Sequence, residues 1–149
     1  MRTGNYLLLI LGFFFIASCK KDKNEPVVIK DFTMEALTTK SWKPVGTDGN
    51  PAVNPPAGTY VYYALGEWSK DDVITYKSDF RVYYDYGSIL PQITIELPSS
   101  KEYSVDFAKK TITIGGITYR LLELSASRLK YSRASGGGNP DYVFMFEHL

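Results

Sequence analysis

From residue 59 to the C-terminus the chain repeats one pattern: short runs in which apolar and polar residues alternate, most of them closed by glycine, proline, serine, asparagine or aspartate. A period of two places alternate side chains on opposite faces of an extended strand, so the pattern commits the chain to β-structure with one buried face. The clearest pair is Thr111-Ile-Thr-Ile114 and Ile117-Thr-Tyr-Arg-Leu-Leu-Glu-Leu124, joined by Gly115-Gly116. Two glycines supply the positive φ angles that a two-residue hairpin turn demands. Val73–Tyr76 and Phe80–Tyr84 form a second hairpin, turned at Lys77-Ser78-Asp79, with Phe80, Val82 and Tyr84 on one face. Gln92–Leu97 points Ile93, Ile95 and Leu97 inward, and Glu102–Phe107 does the same with Tyr103, Val105 and Phe107. Arg128–Ser132 and Tyr142–Glu147 pair across the Ser135–Asn139 loop. Upstream, Thr59–Leu65 reads as a strand, after a long loop punctuated by Pro44, Pro51, Pro55, Pro56 and three glycines. Eight to ten antiparallel strands in a meander remove their edges by closing, or nearly closing, into a barrel. The last strand then returns to the one that carries Trp42. Twelve tyrosines, eight phenylalanines and two tryptophans suit this class, because aromatic rings pack well on a pleated surface.

Before the strands, Phe32–Lys40 predicts one short helix, N-capped by Asp31, with Phe32, Ala36 and Leu37 on its buried side. Residues 20–31 are a charged tether in which Pro26 blocks a helix interior. The first residues are of another kind. Arg2 precedes an apolar run of about 13 residues that ends in Ile16-Ala-Ser18, directly before Cys19, the chain's single cysteine. Such a run is shorter than the ~20 residues that span a bilayer. Ile16-Ala-Ser18 before the lone cysteine resembles the lipobox of bacterial lipoproteins, which implies cleavage before Cys19 and a thiol that accepts a diacylglyceryl group. The expected organisation is a signal peptide at residues 1–18, a lipidated tether at 19–31 and a barrel domain at 32–149. Cys19 is the lipidation residue, its acyl chains, palmitate among them, being the membrane contact. By resemblance to bacterial lipoproteins, Lys20 at the position where some carry an inner-membrane retention aspartate implies the outer membrane, and the Lys20–Glu25 run partly resembles the surface-export tag of Bacteroidetes lipoproteins.

Several segments together resemble the small lipocalin-like lipoproteins of the Bacteroidetes. They are the lipobox cysteine and charged tether, Leu37-Thr-Thr-Lys-Ser-Trp42, Asp71-Asp-Val-Ile-Thr-Tyr-Lys-Ser-Asp-Phe80, Tyr119-Arg-Leu-Leu-Glu-Leu-Ser125 and Leu129-Lys-Tyr131. The resemblance covers most of residues 35–147. It implies a lipocalin-like barrel or half-barrel and a cell-envelope location, and brings no catalytic residues. Where many relatives have glycine after the hairpin aspartate, this chain has Phe80.

Chemistry is sparse. One histidine, His148, excludes a multi-histidine metal site and argues against a histidine-based triad. Asp71, Asp72, Asp79 and Asp85 lack the spacing of a calcium loop, and the glutamates are scattered over different strands, so neither a metal, a cofactor nor an enzyme is expected. Without Arg2 the 16 basic residues balance the 16 acidic ones, which argues against a nucleic-acid partner. The remaining candidates are aromatic: Trp42, Tyr60, Tyr63, Trp68, Tyr83, Tyr84 and Tyr86. Two functions follow. One is a non-catalytic binding barrel for a small apolar or amphipathic ligand, which calls for an internal void of roughly 300 Å³. The other is an interaction module that meets a glycan or protein through a contiguous tyrosine-rich face. Strand alternation forces the adjacent pairs Tyr62-Tyr63 and Tyr83-Tyr84 to place one ring on each face, so part of the set sits outside the barrel or at its rim. Oligomeric state is open.

Overall fold

The computed structural model describes residues 32–89 and 96–149. The signal, Cys19, the tether, Asp31 and most of the expected Gln92–Leu97 strand lie outside the described residues. Among the described residues nine strands form one sheet: β1 Ser41–Pro44, β2 Tyr60–Tyr62, β3 Val73–Tyr76, β4 Arg81–Asp85, β5 Ser100–Asp106, β6 Thr111–Ile114, β7 Ile117–Leu124, β8 Arg128–Arg133 and β9 Asp141–His148. Neighbours run β1-β3-β4-β5-β6-β7-β8-β9, and β9 returns to β1 through Trp42↔His148, Lys43↔Glu147 and Pro44↔Phe146. The result is a closed eight-stranded antiparallel barrel, as the alternation predicts, consistent with a lipocalin-like architecture. Gly115 and Gly116, at φ 55° and 80°, form the two-residue turn between β6 and β7.

The short helix α1, Met34–Thr38, lies at the end that carries the β3–β4, β5–β6 and β7–β8 turns; its Leu37 is fully buried, and the Lys40 ammonium reaches the Ala126 carbonyl. Its cap is Thr33, whose Oγ1 accepts from the Ala36 N–H at 3.1 Å. Thr33 and not Asp31 is thus the cap, so the helix begins at Met34 instead of Phe32 and is shorter than the expected Phe32–Lys40. Phe32 and Ala36 still pack on the core.

Two further expectations are corrected. Phe80 belongs to the β3–β4 turn, not to β4: its φ is 60°, and the side chain is 55 % exposed. The turn closes through Phe80 N–H to the Lys77 carbonyl, and Asp79 Oδ1 accepts from the Arg81 N–H. That left-handed geometry is the one a glycine adopts freely. Phe80→Gly is expected to raise the unfolding free energy by up to about 1 kcal/mol in a urea titration. A loss of stability would show that the ring's approach to Tyr103, at 6.1 Å between centroids, outweighs the backbone. Thr59–Leu65 is also not a meander strand. Only Tyr60–Tyr62 pairs, and it runs parallel to β9 along Asp141–Val143.

That parallel strand has a cause. β9 offers one free edge, and β1 occupies its C-terminal half. The loop after β1 swings out over the barrel and comes back to the remaining N-terminal half from the other direction. Val45 N–H donates to the Met145 carbonyl and Tyr63 N–H to the Val143 carbonyl, so β1 and β2 run towards each other along the same edge.

Inside, Trp42, Tyr76, Val82, Tyr103, Ile112, Leu121, Leu129, Tyr131 and Phe146 form the core. A bulge in β7 between Leu121 and Glu123 turns Glu123 outward, opposite Lys130, while Leu124 points in with Leu129. The outer face here is buried as well: the 46–59 excursion covers Lys130, and Arg128, against Gly49 of the excursion, bonds Glu123 at 2.7 Å.

Candidate functional site

The site begins at the place where β1 and β2 approach each other on β9. Beyond Tyr63 the chain cannot continue along the edge, so it leaves β9 and passes through a short 3-10 turn, Glu67–Ser69, into β3. A cleft of about 180 Å³ opens under this segment. Tyr63, Leu65, Trp68 and Asp72 of the connection line one side; Ile74, Tyr131, Phe144 and Phe146 of the barrel line the other. The Tyr63 ring stacks on Phe144 at 4.7 Å, and Phe144 approaches Tyr131 at 5.6 Å, which continues the cleft wall into the core. Gly66 lets the Trp68 indole fold back: a Cβ there would stand 2.5 Å from Trp68 Nε1. Tyr63 and Trp68 keep 45 % and 40 % of their surface exposed, so the aromatic wall meets solvent.

Acidic residues gather beside this cleft. Asp71 Oδ2 accepts from the Ser88 N–H at 2.7 Å and the Ile89 N–H at 3.2 Å, and the Ser88 N–H contact leads the causes that hold its pKa below the usual range. Asp72 is treated the opposite way. Burial, reinforced by the charges of Asp71 and Asp85, raises its pKa. Among the described residues Asp72 makes no hydrogen bond or ion pair, and its Oδ1 is shut away from water without a partner. Asp79, the remaining member of the four aspartates weighed as a calcium site, sits in the turn at the opposite end of the hairpin, bonded to Tyr83 at 2.8 Å. Among the described residues no group of three or more metal-ligating side chains comes together.

The structure separates the aromatic candidates. Tyr63 and Trp68 share the cleft. Tyr84 packs on the core and stacks on Tyr86 at 5.9 Å; burial pushes its phenol up to about 12. The Tyr86 hydroxyl donates to the Pro98 carbonyl. Tyr83 lies under the Lys77 ammonium beside the β3–β4 turn. Tyr60 pairs edge-on with Tyr62 on the outer excursion. Trp42 is fully buried, its indole N–H donating to the Leu37 carbonyl at 3.1 Å. The seven do not form one exposed face. Nor does the cleft reach the roughly 300 Å³ that an internal drug-sized ligand needs, since the barrel axis beside it is filled by its own tyrosines and phenylalanines.

Sequence reasoning missed Leu65, Tyr131, Phe144 and Asp72 as cleft residues. Tyr131 and Phe144 carry only the alternation that marks a core, and they serve as core and wall together. Asp72 carries the signature of a turn aspartate, which conceals its unpartnered carboxylate.

A second cluster lies under the excursion. Lys130 Nζ, on a side chain 2 % exposed, meets Asp48 Oδ1 at 2.5 Å, the Asn50 carbonyl at 2.8 Å and Asn54 Oδ1 at 3.0 Å. The Tyr62 hydroxyl donates to the other Asp48 oxygen at 2.8 Å. With all three ammonium donors engaged, this cluster has nothing left for a ligand. It fastens the excursion to the barrel. Among the described residues no helix is long and apolar enough to cross a membrane. Comparison with family models, with curated proteins and with solved structures gave no match to this chain.

Proposed function

We propose that the chain is a lipid-anchored, non-catalytic binding barrel of the bacterial envelope, held to the outer membrane through Cys19, and that it takes a compact apolar or amphipathic ligand in the Tyr63–Trp68 cleft. The observation that carries the reading is the cleft itself: a half-open cavity with aromatic walls on a barrel whose interior is otherwise packed. Its size sets the ligand. An engineered protein cavity of about 150 Å³ accepts benzene, so about 180 Å³ suits one ring or a branched group of similar bulk, not an acyl chain. The lipobox before Cys19 and the lipocalin-like resemblance support the anchor and the envelope location; the dispersal of the tyrosines speaks against a broad glycan- or protein-binding face.

Native mass spectrometry on protein extracted from its own membranes reads both halves of the proposal, as acyl mass at Cys19 and as retained small-molecule mass. In solution, single-ring probes such as phenol or indole are expected to move the indole N–H resonance of Trp68 and leave that of Trp42 in place. Trp68→Ala should abolish probe binding while changing stability by no more than about 1 kcal/mol, its ring being partly exposed. Probe binding that survives Trp68→Ala, or shifts that spare the cleft, would remove the ligand site.

A further inference from the structure

We infer that the cleft is built for a cation: a compact organic ammonium whose charge rests against Asp72 and whose methyl or methylene groups rest against the rings of Tyr63, Trp68 and Phe144. The inference deepens the proposed binding function and rests on it.

Three observations converge. Asp72 lines the cleft, yet among the described residues it has neither a hydrogen bond nor an ion pair, and one of its oxygens is sealed from water. Asp72 is half-buried, and a partly desolvated carboxylate without a partner is relieved best by a positive charge. Second, the nearby charged groups that act on it are acidic. Asp71 and Asp85 both disfavour its ionisation, and none of the residues lining the cleft is lysine, arginine or histidine. Asp71 and Asp85 have other work, accepting from Ser88 and Ile89 and from the Gly87 N–H. The positive charge therefore has to come from outside the described chain.

Third, the remaining wall is aromatic. Tyrosine, tryptophan and phenylalanine rings attract cations through the negative potential over their faces, and this attraction strengthens out of water. A bare metal ion fits poorly here. Calcium wants six to eight oxygens, and one carboxylate among rings does not supply them. A neutral apolar ligand would satisfy the rings and leave Asp72 unpaired. An alkylammonium satisfies both, and a trimethylammonium head has about the bulk that the cavity admits.

The test uses two probes of one shape. Choline and 3,3-dimethyl-1-butanol share the hydroxyethyl arm and the branched head, and differ in charge alone. Binding to the full-length protein is followed by the Trp68 indole N–H resonance, with Trp42 as the internal reference. Choline is expected to bind roughly tenfold or more tightly than its neutral isostere, and Asp72→Asn is expected to abolish that preference without unfolding the barrel. Equal binding of the two probes would overturn the cation and leave the apolar cleft standing. A preference that persists in Asp72→Asn would overturn the role of Asp72. If neither probe moves Trp68, the cation assignment fails, and if phenol and indole are also silent there, the binding reading fails with it. The wild-type comparison needs no variant, so a poorly folding Asp72→Asn would not shelter the idea.

Discussion

Lys130→Ala is expected to lower the free energy of unfolding by about 3–5 kcal/mol, the range for removing one partner of a buried ion pair. Lys130 is 2 % exposed and Asp48 6 %. Deleting the ammonium strands the Asp48 carboxylate under the excursion, and it also frees the Asn50 carbonyl and Asn54 Oδ1. The loop after β1 would then lose its strongest hold on the outer face of β8. Urea denaturation followed by tryptophan fluorescence measures the loss. A double-mutant cycle with Asp48→Ala supplies the control, since the second substitution should cost much less than the first once the stranded charge is gone. Additive costs, or a single-variant effect under about 1 kcal/mol, would show that the pair does not fasten the excursion.

The same pair sets an acid limit. Desolvation alone would raise the Asp48 pKa, but hydrogen bonds from Lys130, the Asn50 N–H, Asn54 and Tyr62 outweigh it and bring it to about 2. The folded-state value thus lies below the ordinary one, so the stabilisation is complete above about pH 4 and disappears as pH falls towards 2. In Lys130→Ala the acid slope of stability in this window should flatten. A slope equal to that of the wild type would assign it to other carboxylates.

Local patterns made the barrel readable and made its decoration unreadable. Alternation over Glu102–Phe107 and Ile117–Leu121, with two glycines between positions 114 and 117, states face and turn within a few residues, and the observed strands follow it until the bulge after Leu121 breaks the period. Phe80 extends the same alternation by one residue but sits at positive φ. Hydrophobic periodicity carries no information about backbone handedness at a strand's first residue. Tyr60–Tyr62 reads like any other short strand, yet its partner is decided by which edge β1 leaves free, a fact of closure and not of sequence neighbourhood. Lys130 lies between Leu129 and Tyr131 as an outward residue should; the cover that buries it comes from Asp48 to Asn54, some 80 positions earlier. For the site, Tyr63 and Trp68 were legible as aromatics in excess of core needs. The pairing of Trp68 with Asp72 against Phe144 required the fold, since these residues come from a connection and from the last strand.

Trp42→Ala is expected to cost about 3–5 kcal/mol, the range for a buried tryptophan, and to leave the cleft's preference among probes unchanged. The residue was one of the aromatic binding candidates, so the two readouts decide between a ligand-facing and a core role. Its position argues for the core. The indole is fully buried, donates to the Leu37 carbonyl at the end of α1, and meets His148 edge-on at 6.5 Å. Trp42 pairs with Ile74 of β3 on one side and with His148 of β9 on the other, which places it on the seam where the barrel closes. That seam is thin: β1 matches two residues of β3 and three of β9. With so few ladder bonds, the seam depends on the side chain that fills the space behind it. Alanine would leave a cavity and detach the helix from the barrel at the same point. Trp42→Phe keeps most of the buried area and loses only the bond to Leu37, and it should cost about 1–2 kcal/mol. Thermal unfolding and hydrogen exchange at Ser41–Lys43 read the seam directly: faster exchange there in Trp42→Ala, with β6 and β7 still protected, is the pattern that local opening of the closure produces. Uniform loss of protection across the sheet would mean that Trp42 stabilises the whole barrel and has no particular part in closing it.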